Sequence, residues 1–472
     1  MRSSRGTKPD QGSTGDFRSL ITTPDAGQKA SLSLSDGSRI AVIGGGPAGS
    51  FFGYFTLMMA QMLGRDLDVT IFEPKDFLTP GPGSCNRCGG VISELMVQTL
   101  AVEGINIPSS VIQRGLSSYE LYTELGDVSI ETPTKEKTIA SVYRGGGPQD
   151  LVISDKDSFD AFLLRRAVEK GARHCARYVD RIAFEEGKPV LFSGEERLMQ
   201  ADLVVGAFGV NTWKVPQFEG LPFRYHRPRM TRTAIAEIAL DPDYITERYG
   251  NSVQLFLLPV KNVLFAAIIP KRSYVTLCIL GKAINRSTVD VFLAHPKVRA
   301  LFPEGRLDRL ACMCLPMMNV GAPRRPYADR IVFIGDSGST RLYKDGIGGA
   351  YFMAKSAVKT VIMNGVSRKD FAGNFMPDYR SIRVDNRFGR FLFWVTSMFR
   401  KFGFLNAAML EVVDKEQADP SDGRKILSAI LWDMFTGNER YRSIFFRAIA
   451  PELVIKMTWS AVRHFFGGSH DR

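Results

Sequence analysis

Apolar residues form runs of two different lengths along the chain, and each length predicts a different element. Short runs at Ile40–Ile43, Val69–Phe72 and Ile331–Ile334 are typical of strands that are buried on both faces. A longer, proline-free apolar segment at Ser50–Leu63 predicts a buried helix that ends at Gly64. This alternation of strand and helix predicts an α/β fold with a parallel sheet.

A second pattern, the alternation of apolar with polar residues, predicts strands that have one buried face. It occurs in the segments 118–132, 231–240 and 252–281, and proline-containing turns divide the last of these. We expect these strands to form one antiparallel β-sheet, a substrate domain inserted into the α/β core. Residues 180–200 predict a small hairpin within the core itself.

Composition changes at both ends of the chain. The first residues are rich in Ser, Gly, Thr and Asp and predict a disordered tail, whereas the segment after residue 375 is helical and rich in aromatic and basic residues. The predicted organisation is a tail (1–38), a discontinuous core domain (39–100, 140–215 and 320–375), the inserted substrate domain (101–139 and 216–319) and a C-terminal helical region (376–472).

Three glycines follow the first strand in the order Gly44-x-Gly46-x-x-Gly49, with Ala48 inside the motif. The first glycine permits a tight turn, the second lets the backbone approach a pyrophosphate, and the third lets helix and strand pack closely. Glu73 ends the second strand, where its carboxylate can accept a hydrogen bond from a ribose hydroxyl. Because the motif stands between a strand and a helix, it predicts a dinucleotide site in a Rossmann-type domain.

A second glycine-rich segment follows the third apolar strand. Gly335 and Asp336 end this strand, and Gly346, Ile347 and Gly348 open a helix shortly afterwards. The arrangement resembles the second fingerprint of two-dinucleotide-fold flavoproteins. In those proteins the aspartate binds the ribityl chain, and the helix N-terminus faces the cofactor. These five residues are therefore candidate cofactor-binding residues.

Two further segments, 157–172 and 201–211, resemble the helix and the short strand that complete the flavin domain of the same proteins. With its motifs in this order, the chain resembles the FAD-dependent geranylgeranyl reductase family, within the para-hydroxybenzoate hydroxylase-like group. The resemblance covers most of residues 39–375. It implies FAD rather than NAD as the cofactor, and the sequence shows no second G-x-G-x-x-G motif.

The loop that contains Cys88, Gly89 and Gly90 carries the family-level part of the resemblance. In the related reductases a Cys-Gly-Gly segment runs along the flavin near its reactive ring, so these three residues are candidate catalytic residues. Two residues without a Cβ let the backbone approach a planar ring, and their N–H groups can stabilise negative charge on it. Cys88 is also a candidate proton donor.

Cys85 leaves two other interpretations of this loop open. Cys85 and Cys88 can complete a zinc site with Cys312 and Cys314, although a C-x-C spacing is less usual for zinc. Alternatively, Cys85 and Cys88 form a redox dithiol, with Arg87 lowering the pKa of a neighbouring thiol. We predict a flavin-facing loop without a metal, and retain both alternatives.

The chain departs from the family pattern at several positions. Relatives carry a proline and another glycine after the Gly-Asp pair, whereas this chain has Arg341 and Lys344. These two cations either stabilise a reduced flavin or lie on a solvated loop. Lys156 stands where relatives have an arginine and is a candidate cofactor-binding residue. Ala267 replaces a tryptophan of an aromatic strand, which reshapes the predicted pocket and weakens the case for a prenyl substrate.

The net charge of +12 is compatible with an anionic ligand or a membrane surface, but the basic residues do not form the aromatic-interleaved runs typical of nucleic-acid binding. The sequence shows neither a signal peptide nor an apolar run long enough to span a membrane. We expect a cytoplasmic protein, with peripheral membrane contact as an alternative. The aromatic C-terminal helices are either an ordinary helical cap or a surface that docks on anionic lipid.

These observations predict an FAD-dependent oxidoreductase that reduces a carbon–carbon double bond of an isoprenoid or other apolar substrate. NADPH, a ferredoxin and a quinol are the candidate electron donors. The first alternative is a flavin-dependent monooxygenase or halogenase of the same fold, although the sequence contains no W-x-W-x-I-P segment. The second alternative is a membrane-docking electron-transfer flavoprotein.

Overall fold

Strands and helices of the core begin and end close to where the apolar pattern predicts them. The structure is a computed structural model that describes residues 32–81, 83–134, 137–148, 157–212, 215–308, 310, 312–418 and 425–467. The strands are β1 (Ser38–Ile43), β2 (Leu67–Phe72), β3 (Val91–Ser93), β4 (Ile112–Leu116), β5 (Ser118–Tyr122), β6 (Asp127–Glu131), β7 (Ile139–Val142), β8 (Arg173–Cys175), β9 (Arg181–Glu185), β10 (Lys188–Ser193), β11 (Glu196–Gln200), β12 (Leu203–Gly206), β13 (Met230–Arg232), β14 (Ala234–Ala239), β15 (Ser252–Phe256), β16 (Val263–Pro270), β17 (Tyr274–Gly281), β18 (Cys312–Cys314), β19 (Met317–Asn319), β20 (Tyr327–Ala328) and β21 (Ile331–Phe333). The helices are α1 (Pro47–Met62), α2 (Glu94–Val102), α3 (Phe159–Glu169), α4 (Val215–Glu219), α5 (Pro242–Tyr249), α6 (Arg286–Ala294), α7 (Pro296–Arg299), α8 (Gly346–Met363), α9 (Arg368–Asp370), α10 (Met376–Lys401), α11 (Gly403–Ala418), α12 (Ile426–Phe435), α13 (Tyr441–Ala448) and α14 (Pro451–Gly467).

A six-stranded core sheet has the order β20-β21-β12-β1-β2-β8, and all of its neighbouring pairs except β20–β21 are parallel. Its side chains alternate between two covers. Ile40 and Val42 pack with the helices α1, α3 and α8, whereas Ala41 and Ile43 pack with the small sheet β11-β10-β9. The core is therefore layered as the α/β pattern predicts, but residues 180–200 form a sheet of three strands rather than the predicted hairpin.

Part of the predicted tail packs on the core. Leu34 is buried, and the backbone oxygen of Leu32 accepts a hydrogen bond from the N–H of Val366 at 2.6 Å. Residues 1–31 lie outside the described residues. The other domain boundaries remain predictions.

The inserted sheet contains seven strands in the order β18-β14-β17-β16-β15-β5-β6. Most neighbouring strands are antiparallel, as predicted, but β15 pairs parallel to β5. The prediction of a purely antiparallel sheet is therefore wrong at this pair. β5 and β6 form a hairpin of their own, and a long passage of chain through the core separates them from β15, so no tight turn determines their relative direction.

The two faces of the inserted sheet have different covers. The face that includes Ala266 and Leu277 packs against the helices α5, α6 and α7. The opposite face, which includes Ala267 and Cys278, packs against the C-terminal helices α10 to α13. Successive residues of β16 and β17 thus contribute to two separate apolar layers, as expected for a sheet that is buried on both sides.

The C-terminal helices are a packed cap on one face and an exposed surface on another. Trp432 is fully buried, and its ring centroid lies 4.6 Å from that of Tyr119 in β5. Trp394 and Trp459, by contrast, are 57% and 73% exposed. Within the described ranges, no helix combines the length and the apolarity needed to cross a membrane.

Asp433 of α12 joins this cap to the rest of the chain. Its carboxylate is fully buried and forms ion pairs with Lys137 at 3.0 Å and with Arg447 of α13. The indole N–H of Trp432 donates to the backbone oxygen of the same Lys137 at 3.0 Å. One buried carboxylate therefore connects α12, α13 and the segment before β7.

We expect Asp433→Asn to lower the free energy of unfolding by about 3 kcal/mol, because two cations lose a buried counter-charge. Thermal or urea unfolding measures this loss. Glu439→Gln is the matched control. Glu439 Oε1 lies 3.6 Å from Nζ of the same Lys137, but the Glu439 side chain is 35% exposed. The control should change stability little. Equal stabilities for the two variants would contradict the role of the buried charge.

Candidate functional site

The predicted glycine motif lies at the edge of the core sheet where the parallel strands end. Gly44 has a φ of 105°, and a Cβ there would lie 2.4 Å from the backbone oxygen of Ala207. A Cβ on Gly49 would lie 1.8 Å from the backbone oxygen of Gly44, so only glycine lets α1 pack on the turn. A Cβ on Gly46 would meet only Asn86 Nδ2, at 3.8 Å. The space beside Gly46 is therefore open, whereas the space beside the other two glycines is filled by backbone.

Glu73 lies at the end of β2, next to the same turn. Its carboxylate accepts hydrogen bonds from the backbone N–H groups of Gly45 and Lys75, both at 2.9 Å. Burial raises the pKa of Glu73, and these two N–H donors lower it in part. A cleft of about 460 Å³ opens beside it, between residues 74–78, α3 and the end of β8. The lining of this cleft therefore begins at Pro74, the residue after the predicted ribose-binding acid, and the space is large enough for an aromatic base.

The second motif meets the first through α1. Gly335 has a φ of 61°, and a Cβ there would lie 2.7 Å from Ala48 Cβ. The side chain of the next residue, Asp336, is exposed at the surface of the site. Nearby protein atoms desolvate its carboxyl group and so raise its pKa, while the guanidinium of Arg144 lowers it in part. Two motifs that the sequence presents nearly 300 residues apart thus lie at one place in the fold.

Arg144 is a site residue that the sequence did not single out. It follows β7 and donates from Nε and Nη2 to the two carboxylate oxygens of Asp160, at 2.6 and 3.0 Å. Asp160 is fully buried in the Phe-Asp pair at the start of α3. Lys156, which stands where relatives have an arginine, lies outside the described residues, so its role remains a prediction. A signal for Arg144 was its position immediately before three glycines, 145–147.

The N-terminus of α8 is partly occupied by protein. Asp345 has a φ of 52°, and its carboxylate accepts a hydrogen bond from the N–H of Gly348 at 2.9 Å. This cap leaves the N–H groups of Gly346 and Ile347 as the ones that can face a ligand. Of the three candidate residues here, Gly348 therefore has an internal partner.

Arg341 and Lys344 face the C-terminal region rather than solvent or an open cleft. Arg341 Nη1 lies 2.7 Å from Asp345 Oδ2 and donates to the backbone oxygen of Gly437, between α12 and α13, at 2.9 Å. Lys344 is buried and donates to the backbone oxygens of Asp433 and Glu439, at 2.6 and 3.0 Å. Burial lowers the pKa of Lys344 to about 7. The interpretation of a solvated basic loop is wrong for Lys344, and the contacts of both cations anchor α12 and α13 to the turn before α8.

The loop at 88–90 packs on the inserted sheet. A Cβ on Gly89 would lie 2.8 Å from Cys278 Sγ, and one on Gly90 would lie 2.3 Å from the backbone oxygen of Val142. Lys271, buried immediately after β16, donates to the backbone oxygens of Gly89 at 3.0 Å and Val142 at 2.9 Å. The backbone contact and the φ of 68° make glycine necessary at position 90, whereas a Cβ at position 89 would press on the Cys278 side chain. The approach of this loop to a planar ring remains a prediction.

Two cysteines near this loop have raised thiol pKa values. Burial, with a smaller contribution from the carboxylate of Glu237, raises the pKa of Cys85 to about 12 and that of Cys314 to about 11. Arg87 offsets this only partly, through a backbone N–H that donates to Cys85 Sγ at 3.1 Å. Arg87 therefore lowers the pKa of the Cys85 thiol as predicted, but burial outweighs it and the net shift is upward, so the dithiol interpretation loses its electrostatic basis at Cys85.

The zinc alternative finds no support in the described part of the chain. There, no group of three or more His, Cys, Asp or Glu side chains is arranged so that it could hold a metal ion. Cys312 and Cys314 lie on β18 at alternate positions, opposite Glu237 and Ile235 of β14. Their neighbours are thus a carboxylate and an aliphatic side chain on the sheet.

Two charged residues of the inserted sheet, Glu237 and Lys271, lie near the loop at 88–90. Glu237 lies opposite Thr276 in the sheet register, two positions from Cys278, so it shares a face with the side chain that meets Gly89. Burial raises the pKa of Glu237, and burial lowers the pKa of Lys271, while each charge partly offsets the shift of the other. Within the described residues, no donor hydrogen-bonds the Glu237 carboxyl group. The signal in the sequence was an acid at an inward position of an apolar strand.

Comparisons with known proteins agree with this geometry. No family model matches the chain. A geranylgeranyl diphosphate reductase of Synechocystis sp. is 23% identical over 334 residues, which cover 68% of this chain and 73% of that protein. A chloroplastic geranylgeranyl diphosphate reductase of Nicotiana tabacum is 23% identical over 339 residues. The match covers 67% of this chain and 64% of the tobacco protein, so the chain spans less than two thirds of that relative.

Solved structures show the same fold. A geranylgeranyl bacteriochlorophyll reductase-like protein of Thermoplasma acidophilum superposes with a TM-score of 0.59 at 16% identity, over 90% of this chain and 100% of that chain. The flavin-dependent brominase Bmp2, as a triple mutant, has a TM-score of 0.55 at 13% identity, over 87% and 98% of the two chains. The chain therefore has the fold of flavin-dependent oxidoreductases and is distantly similar to geranylgeranyl reductases.

The raised pKa of the Cys85 thiol predicts low reactivity. At pH 8 we expect Cys85 in the folded protein to react with iodoacetamide at least roughly tenfold more slowly than in the urea-unfolded chain, because its thiolate is scarce. Peptide mass spectrometry after timed alkylation measures both rates, with the half-buried Cys175 as the internal comparison. Rapid alkylation of Cys85, or ready formation of a Cys85–Cys88 disulfide, would restore the dithiol interpretation.

Proposed function

We propose that this chain is an FAD-dependent oxidoreductase. The observation that carries the proposal is the contact between Ala48 and Gly335, which unites two nucleotide-binding motifs at one edge of the core sheet. A dinucleotide that extends from the first motif to the second would use both. The distant similarity to flavin-dependent enzymes supports the same cofactor.

The residues of the site fit the parts of FAD in order. The open space at Gly46, beside the N-terminus of α1, suits a diphosphate, because a helix N-terminus offers free N–H groups and a partial positive charge. Each carboxylate oxygen of Glu73 accepts one N–H and retains a lone pair for a ribose hydroxyl. The adjacent cleft would take adenine, Asp336 the ribityl chain, and the N–H groups of Gly346 and Ile347 the flavin ring.

We further propose that the substrate is an isoprenoid or another apolar molecule whose carbon–carbon double bond is reduced. The bound flavin would supply the hydride, and the protein must then supply the position of the substrate and a proton. The end of the sheet face at Cys278 would border its binding site, since it is apolar and meets the loop at 88–90, whereas the rest of that face packs against α10 to α13. NADPH, a ferredoxin and a quinol remain the candidate electron donors.

Glu237 is our candidate for the proton donor, ahead of Cys88. Its raised pKa keeps a larger fraction of the carboxyl group protonated near neutral pH than an exposed glutamate would have. It also shares the sheet face that meets the loop. Lys271 would act as a positioning residue, because it holds the Gly89 backbone oxygen while its charge stabilises the carboxylate that remains after proton transfer.

We expect Gly46→Val to weaken FAD binding by at least roughly tenfold while leaving the unfolding temperature nearly unchanged. The backbone of Gly46 has a φ of −66°, which valine can adopt, and a Cβ meets no protein atom closer than 3.8 Å. Fluorescence titration of the apoprotein with FAD measures the affinity. Gly373→Val is the control, since a Cβ there has no neighbour within 4 Å. Full FAD affinity in Gly46→Val would exclude the proposed diphosphate position.

Single-turnover reduction tests the chemistry. We expect the dithionite-reduced holoprotein to add two hydrogens to a prenyl substrate, as measured by mass spectrometry, and Glu237→Gln to lower this rate by about 100-fold or more with FAD affinity retained. Because the protonated carboxyl group is the active form, the wild-type rate should fall as pH rises through the raised pKa of Glu237. A wild-type pH profile that persists in Glu237→Gln would remove Glu237 from this role.

The same assay separates reduction from oxygen insertion, the alternative that the brominase-like fold keeps open. A product that gains oxygen in the presence of air and a reductant would favour a monooxygenase. A protein that binds FAD yet transforms no apolar alkene under either condition would favour electron transfer without substrate turnover.

A further inference from the structure

One face of α10 carries basic and aromatic side chains without an acidic neighbour on that face. Arg383, Arg387, Arg390, Trp394 and Lys401 are separated by three, four or seven positions, so they form one stripe along the helix. All five side chains are exposed. Partial burial and the neighbouring guanidinium groups lower the pKa of Arg390, as expected where arginines are crowded together. The stripe is therefore strongly positive and includes an exposed tryptophan.

Several acidic residues of the same region are turned inward instead. Asp385, Glu416 and Asp433 are 8%, 3% and 0% exposed. Asp385 accepts hydrogen bonds from two backbone N–H groups at the start of α13, and Glu416 does the same at the start of α12. Asp385 and Glu416 thus stabilise helix ends, Asp433 pairs with Lys137 and Arg447, and none of the three neutralises the stripe of α10.

α14 presents an apolar stripe of its own. Ile455, Trp459, Val462 and Phe466 are spaced as one helix face and are 68%, 73%, 45% and 71% exposed. The opposite face is held to α11, where Glu411 accepts hydrogen bonds from Ser460 at 2.6 Å and contacts His464 at 3.0 Å. The helix is thus fixed in orientation with its apolar side outward.

Aromatic rings connect the two stripes into one surface. Lys401 lies 5.4 Å above the ring of Phe402, and the ring centroids of Phe402 and Phe404 are 6.1 Å apart. Phe404 lies 5.3 Å from Phe465, and Phe465 lies 5.2 Å from Phe466. The basic end of α10 therefore adjoins the apolar end of α14.

We propose that this surface of α10 and α14 binds the headgroup region of an anionic lipid bilayer. Arginine and lysine side chains pair with lipid phosphates, while tryptophan and phenylalanine insert at the boundary between headgroups and acyl chains. A second copy of the chain is a poorer partner, because self-association through this surface would bring two positive stripes together. An acidic protein would match the arginines but not the apolar stripe of α14. Binding requires no flavin chemistry, so it is independent of the proposed function.

Vesicle binding by the full chain tests the proposal. We expect the protein to sediment with vesicles of phosphatidylcholine and phosphatidylglycerol, to sediment far less with phosphatidylcholine alone, and to be released by salt. Brominated acyl chains should quench tryptophan emission, and Trp394→Phe/Trp459→Phe should lose most of this quenching.

Replacing Arg383, Arg387 and Arg390 with Gln should weaken partitioning by roughly 100-fold, since each basic side chain near an anionic surface contributes a factor of about five.

The matched control removes the same charge elsewhere. Arg173→Gln, Arg197→Gln and Arg286→Gln replace arginines whose side chains are 64%, 52% and 63% exposed. If net charge alone drove binding, the two triple variants would lose affinity equally, and the assignment of this surface would fall. The proposal would also be wrong if the wild type did not bind anionic vesicles. It would be wrong as well if the wild type were an oligomer that the Trp394/Trp459 substitutions converted to a monomer. Circular dichroism of each variant separates loss of binding from loss of fold.

Discussion

The close contact between α1 and the turn that precedes it is the constraint on which the candidate site depends. With the Gly49 Cβ position only 1.8 Å from the Gly44 backbone oxygen, no side chain fits there, and the helix N-terminus is held directly at the end of β1. The same close packing places Ala48 against Gly335, so one helix defines the position of both glycine motifs. The helix N-terminus then lies beside the open space at Gly46. The proposed binding site for an extended, anionic cofactor depends on this close packing of a short piece of backbone.

A few buried charged side chains join the core to the inserted sheet. A single buried amine, Lys271 Nζ, holds the backbone oxygens of Gly89 and Val142 and so ties the loop at 88–90 to β7 and β16. Asp433 and Lys344 join the C-terminal helices to the segment before β7 and to the turn before α8. Buried charges of this kind are costly to leave unpaired, which makes them effective in selecting one arrangement of domains. The apolar sheet face is thereby enclosed next to the loop, rather than left as an exposed groove.

The parts of the fold that could be predicted from the sequence are those in which neighbours in the chain decide the structure. The strand–turn–helix at Gly44 to Gly49 is of this kind, because turn geometry and helix packing act within a few residues. The partner of Arg144 could not be predicted, since Asp160 reaches it only after the chain has folded back. The same applies to Lys344, whose partners lie about 90 residues further along the chain, and to the parallel pairing of β5 with β15, which no turn determines. The sequence pointed to Gly89 and Gly90 because they lack a Cβ. The atoms that a Cβ would meet there belong to Cys278 and Val142, which are distant in the sequence and could not be predicted from it.

The most direct measurement is a comparison of FAD with FMN as ligands of the apoprotein, by fluorescence titration under identical conditions. FAD contains the diphosphate, ribose and adenine that the turn at Gly46 and the Glu73 cleft would grip, whereas FMN contains only the half that would lie at Asp336. The geometry predicts one FAD per chain and an affinity for FMN at least roughly 100-fold lower, because FMN forgoes the contacts of the helix N-terminus and the carboxylate. Equal affinities for FAD and FMN, or no binding of either, would contradict a dinucleotide site that extends from the first glycine motif to the second.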